Sequence, residues 1–142
     1  MEAQIIHLLR ELKEEFNATV IVVSHNLGLI AQLCDDVVVM YAGEVIESGD
    51  VRQIFYNPSH PYTQALISAV PIPDPMRQSD RIILKGDPPS PIDPPSGCRF
   101  HTRCPIARPV CTEKRPELRF APNQHAAACH FAEINGEKKE QT

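Results

Sequence analysis

Of the 142 residues in this chain 14 are proline, and none precedes Pro58. Proline lacks a backbone N–H and has a fixed φ, so neither a helix interior nor an inner strand runs through it. Eight of the prolines crowd between Pro71 and Pro95, a stretch that can form only an extended connector or ordered loops. They separate a half able to build regular α/β structure from a half that needs an external staple. Charge divides in the same way: residues 1–60 carry −6, whereas residues 96–120 carry +4. The overall balance of −4 argues against a nucleic-acid-binding chain. No apolar run reaches the roughly 18–20 residues of a membrane span, and no basic-then-apolar leader opens the chain. The expectation is a soluble intracellular chain with no direct membrane insertion.

The first half reads as α/β. Ile5, Leu8, Leu9, Leu12 and Phe16 recur at helical spacing, with Asn17 as a left-handed stop. Thr19–Val23 is a continuous β-branched run of the kind buried on both faces of a parallel sheet, with Ser24-His25-Asn26 at its carboxyl end. Asn26 is placed to cap a short helix through Cys34, a thiol expected to be buried and structural. Val37–Tyr41 and Glu44–Glu47 read as strands joined at Ala42-Gly43. Asp50 with Gln53 resembles a capping box for a helix to Tyr56, and a further helix starts near Pro61. One buried parallel strand cannot make a sheet, so the pattern predicts a chain that begins partway through an α/β domain. A small α+β domain is the alternative.

The second half is dominated by Cys98, Cys104, Cys111 and Cys129, spaced C-x5-C-x6-C-x17-C. Four thiols in a core-poor segment without a secretion signal point to a metal that closes loops, rather than to a disulfide framework. Zinc knuckles use closer pairs, C-x2–4-C, whereas the wider spacing suits a [4Fe–4S] cluster offset by Arg99, Arg103 and Arg108. Zinc, with His101, His125 or His130 as additional ligands, and uncomplexed or disulfide-bonded thiols stay open as alternatives. Residues 81–86 read as a short strand, and the charged tail from Asn135 reads as disordered.

The order Thr-Val-Ile-Val-Val-Ser-His-Asn (19–26), Val-Val-Val-Met-Tyr-Ala-Gly-Glu-Val-Ile-Glu-Ser-Gly (37–49), Ile-Phe-Tyr-Asn-Pro (54–58) and His-Pro-Tyr-Thr-Gln-Ala-Leu (60–66), followed by the cysteines, resembles one known family. These are the ATP-binding subunits of oligopeptide/dipeptide, and related nickel, ABC importers. The resemblance implies the truncated end of a P-loop, ABC-type nucleotide-binding domain over 1–70 and a small Pro-rich, Cys-containing extension over 71–142. It implies that His25 is the switch-loop histidine at the terminal phosphate of ATP, with Asn26 standing where the family usually has Asp. It implies a [4Fe–4S] cluster on Cys98, Cys104, Cys111 and Cys129, ATP with Mg²⁺ in the intact subunit, a second ATP-binding subunit, and transmembrane permease subunits. Such subunits lie in the cytoplasm against the inner face of the membrane and drive peptide import.

The glycines stand at 28, 43, 49, 86, 97 and 136, so these residues hold no Gly-x-x-x-x-Gly-Lys-[Ser/Thr] phosphate cradle. The expectation is that the 142 residues alone neither bind nor hydrolyse ATP. The competing readings are a non-enzymatic interaction module stabilised by iron–sulfur or zinc, and an inactive gene remnant.

Overall fold

The computed structural model describes residues 2–70, 81–90 and 92–133. Helix α1, Glu2–Glu15, ends where Asn17 takes a φ of 46°, the expected left-handed stop. The apolar stripe of α1 stays largely uncovered: Ile6 is buried, whereas Ile5, Leu8, Leu12 and Phe16 are exposed. Helix α2, Leu27–Leu33, contacts α1, and polar groups bridge α1 to the end of α2. There the Arg10 guanidinium donates to the Gln32 carbonyl, and Lys13 pairs with Asp35 at 2.6 Å. The Asn26 side chain caps α2 by accepting from the Leu29 N–H at 3.2 Å.

Residues 18–26, including the expected strand Thr19–Val23, form no strand. Ile21 is 88% and Val23 96% exposed, and only Val22 packs against the core. An inner strand exists only when neighbours on both sides satisfy its N–H and C=O groups. Among the described residues no strand lies beside this run, so its β-branched chemistry has nothing to pair with.

The sheet that does form has four strands, each antiparallel to its neighbours. Strands β1, Asp36–Tyr41, and β2, Glu44–Asp50, make a hairpin whose turn residues Ala42 and Gly43 have φ of 47° and 81°. Two successive positive φ values match the right-handed twist of the flanking strands. Along β1 the burial alternates, with Val37, Val39 and Tyr41 inside and Val38 and Met40 outside, so the run is covered on one face only.

Asp50 and Gln53 complete the expected capping box of helix α3, Val51–Tyr56, through Arg52 N–H to Asp50 Oδ1 at 2.7 Å and Asp50 N–H to Gln53 Oε1 at 3.0 Å. Helix α4, Pro61–Ser68, starts on Pro61, and His60 Nδ1 accepts from the Tyr62 N–H at 3.1 Å.

Residues 81–86 are irregular rather than the expected strand. Farther on come a single 3₁₀ turn at His101–Arg103, helix α5, Pro109–Glu113, and the two-residue strands β3, Arg119–Phe120, and β4, Ala126–Ala127. Strand β4 pairs with β2, Glu47 opposite Ala127 and Ser48 opposite Ala126. Phe100 is 1% exposed and completes the core formed by Ile30, Val37, Val39, Tyr41, Ile46 and Ile54. Its ring meets Tyr41 and Tyr62 edge-on, at centroid distances of 5.1 and 5.5 Å. Residues on both sides of the Pro-rich stretch thus share one sheet and one core. The Pro71–Pro75 connector and the charged tail lie outside the described residues. Among the described residues no helix is long and apolar enough to cross a membrane.

Candidate functional site

Cys98, Cys104, Cys111 and Cys129 reach their places by four different local devices. Gly97, at φ +69°, turns the chain so tightly that a Cβ there would overlap the Cys111 carbonyl oxygen. That closeness lets the Cys98 N–H donate to Cys111 O at 2.8 Å. Cys104 closes the 3₁₀ turn, its N–H donating to His101 O at 3.3 Å. Cys111 lies buried in α5, which opens on Pro109. Cys129 follows β4, held by the Ala128 N–H to Ile46 O bond of 2.8 Å.

All four thiols are free, and they lie near enough to feel one another's charge. Cys104 is pushed up to about 11, first by burial and then by the neighbouring Cys129, Cys98 and Cys111. Cys98 and Cys129 are likewise raised, first by burial. Backbone N–H groups oppose the shift: Phe100 and His101 donate toward Cys98, Ile106 toward Cys104, and Phe131 and Ala132 toward Cys129. The Arg119 charge also favours the Cys129 thiolate. Buried thiols that receive backbone N–H bonds have the donor chemistry of iron–sulfur ligands, whose potentials those bonds tune.

Among the described residues no group of three or more His, Cys, Asp and Glu is placed to hold a metal ion. Each histidine considered beside the cysteines is turned to another partner. His101 Nδ1 lies 2.8 Å from Cys98 O, His130 Nε2 lies 2.8 Å from Lys114 O, and His125 Nε2 lies 2.7 Å from Glu47 Oε1. The arginines also disperse. Arg99 binds Glu44, and Arg108 lies 4.2 Å over the Phe131 ring. The Arg103 Nε is buried and finds no hydrogen-bond partner among the described residues. A cleft of about 160 Å³ lined by Lys114, Arg115, Arg119, His130 and Cys129 reaches this side of the thiol group.

His25 is exposed on the irregular stretch before α2, not at the end of a strand. The neighbouring Asn26 has a local task as the cap of α2. Cys34 is half-buried, its thiol raised by burial, and packs against the core near Asp35 and Lys13.

One cluster has no signature in the spacing. Glu47 is 0% exposed, and its carboxylate accepts from Ser59 N–H at 2.6 Å, His60 N–H at 2.9 Å and His125 Nε2 at 2.7 Å. Its partners stand 12, 13 and 78 residues away, so no local pattern could have revealed it.

Residues 46–111 match the family model described as "Oligopeptide/dipeptide transporter, C-terminal region". The chain is 47% identical over 133 residues to the oligopeptide transport ATP-binding protein AppF of Bacillus subtilis strain 168, covering 92% of this chain and 40% of that protein. The OppF proteins of Salmonella typhimurium LT2 and Escherichia coli K12 are 46% and 45% identical over 131 residues, in each case 91% of this chain and 39% of the relative. The chain thus spans about two fifths of the length of these relatives. Residues 46–111 thus carry the oligopeptide/dipeptide transporter C-terminal region, and over nine-tenths of its length the chain is similar to part of oligopeptide transport ATP-binding proteins.

Proposed function

We propose that these residues serve as the C-terminal part of the ATP-binding subunit of an ABC importer that couples ATP hydrolysis to peptide uptake. The observation that carries this reading is the similarity over nine-tenths of the chain to oligopeptide transport ATP-binding proteins. In the intact subunit ATP and Mg²⁺ bind to a phosphate cradle that these 142 residues do not contain, so on their own they neither bind nor hydrolyse nucleotide. His25 supplies an imidazole that orients water or donates to a terminal phosphate oxygen. Residues 1–70 form the end of the nucleotide-binding domain, and residues 71–142 form the extension. The subunit works in the cytoplasm with a second ATP-binding subunit and with permease subunits at the membrane.

Within the extension, Cys98, Cys104, Cys111 and Cys129 hold a [4Fe–4S] cluster. Their burial, mutual proximity and backbone N–H donors support this reading. The bound cluster supplies a cross-link between loops with little core of their own.

A chimera tests the whole reading. This chain replaces the corresponding two fifths of Escherichia coli OppF, and peptide uptake is measured in cells lacking that subunit. Uptake is expected, with ATP hydrolysis reduced at least about tenfold by His25→Ala. A folded chimera without uptake overturns the importer reading, and an unchanged hydrolysis rate overturns the His25 role. For the cluster, anaerobic purification and analysis should find about four irons and four sulfides per chain. Zinc or no metal in their place overturns it.

A further inference from the structure

A buried carboxylate costs several kcal/mol unless hydrogen bonds and an opposite charge compensate it, so a fully buried Glu47 calls for a reason. Its carboxylate gathers three donors that lie on two separate arms of the chain. On one arm His125 leads directly into β4, which pairs with β2 at Ala126 and Ala127 and delivers Cys129 two residues later. The missing Cβ of Gly49 makes room for the His125 ring, since an added Cβ would come within 3.2 Å of its Cδ2. On the other arm His60, itself 1% exposed, packs its ring 5.5 Å from that of Phe100. Phe100 lies between Cys98 and Cys104, and its N–H donates toward the Cys98 sulfur. Cys111 joins through its carbonyl, which accepts from the Cys98 N–H.

We propose that Glu47 is a positioning residue that assembles the four-thiol site before any metal arrives, holding Cys129 through His125 and holding Cys98, Cys104 and Cys111 through His60 and Phe100. The carboxylate can only accept, so His125 Nε2 carries the proton, and the ring is oriented by that bond alone: its buried Nδ1 has no hydrogen-bond partner among the described residues. An amide cannot do the same work. Glutamine accepts at only one of the two oxygen positions, so one arm always confronts donor with donor.

This inference rests on the proposal that the four cysteines act as one site, and its test uses no metal, so the two fail separately. The reduced, metal-free full-length chain is treated with iodoacetamide under native conditions, and each cysteine's alkylation rate is read by peptide mass spectrometry. In Glu47→Gln the rates at Cys98, Cys104, Cys111 and Cys129 should rise at least about tenfold while Cys34 stays within about twofold, because only the site opens. Unchanged rates at the four overturn the proposal. A parallel rise at Cys34 reports loss of the whole fold, and His125→Asn then decides. That variant releases one arm, so Cys129 should accelerate well beyond Cys98 and Cys104, and a uniform rise or no rise overturns the proposal. Wild-type thiols that are protected in this way yet take up no iron and sulfide would refute the cluster and leave the role of Glu47 standing.

Discussion

Arg99 Nε lies 2.7 Å from Glu44 Oε1, and Arg115 Nη2 reaches the same oxygen at 3.1 Å. Glu44 opens β2 beside the hairpin turn, and Arg99 also donates to the Ala42 carbonyl in that turn. One half-buried carboxylate therefore fastens the cysteine-bearing segment to the end of the hairpin, while Glu47, farther along the same strand, fastens it through His125. The positive charge concentrated in residues 96–120 meets the acidic first half at this seam.

Glu44→Gln should lower stability by about 1–2 kcal/mol, because two charge-assisted bonds are lost in a partly buried place. Arg115→Ala should cost no more than about 0.5 kcal/mol, since its side chain is 67% exposed. Urea denaturation of both variants checks the pair, and equal losses would show that the Arg99 contact carries no special weight.

His60 provides a pH signature. Burial holds its folded-state value down to about 4, below the roughly 6.5 of an unfolded chain. The unfolded chain takes up the proton first, so stability should fall as pH drops from about 6.5 to about 4, by about 3 kcal/mol at most. Outside that window this group contributes no slope. His60→Asn keeps a side-chain cap for α4 and does not titrate, so the difference between the two urea-midpoint profiles isolates the effect. Parallel profiles would mean that the buried ring titrates normally.

Gly97→Ala should damage the thiol site more than its size suggests. The residue has φ +69°, and its Cβ would press on the carbonyl of Cys111 and on Thr112. Left-handed strain alone costs about 1 kcal/mol, and the overlap with backbone adds to it. Iron and sulfide loading should fall severalfold relative to wild type while the far-UV spectrum is kept. Full loading would show that the loop can shift without harm.

Ile54→Ala removes a side chain that is 1% exposed within the shared core. The expected loss is about 2–4 kcal/mol, read by chemical denaturation. A cost below about 1 kcal/mol would mean that α3 is not packed as described.

The helices, caps and hairpin were legible because short-range chemistry sets them. Asn26, the Asp50–Gln53 box, Pro61, Asn17 and Ala42-Gly43 each act within four residues, and each stands where its spacing predicts. The four cysteines were legible as a group for the same kind of reason, since thiols are chemically distinctive wherever they lie. Thr19–Val23 shows the limit of such reading. Its composition favours a strand, but a strand is a relation between segments, and the described residues provide no partner beside it.

Composition and local spacing were therefore enough to establish the amphipathic α1, the hairpin, the capped helices and the candidate thiols. Tertiary folding alone placed β4 against β2, Phe100 in the core of the first half, and Glu47 between His60 and His125. Those contacts join residues up to 80 positions apart. Their stability comes from burying several rings together while hydrogen bonds offset the cost of desolvating the carboxylate, and that happens only once distant segments have met.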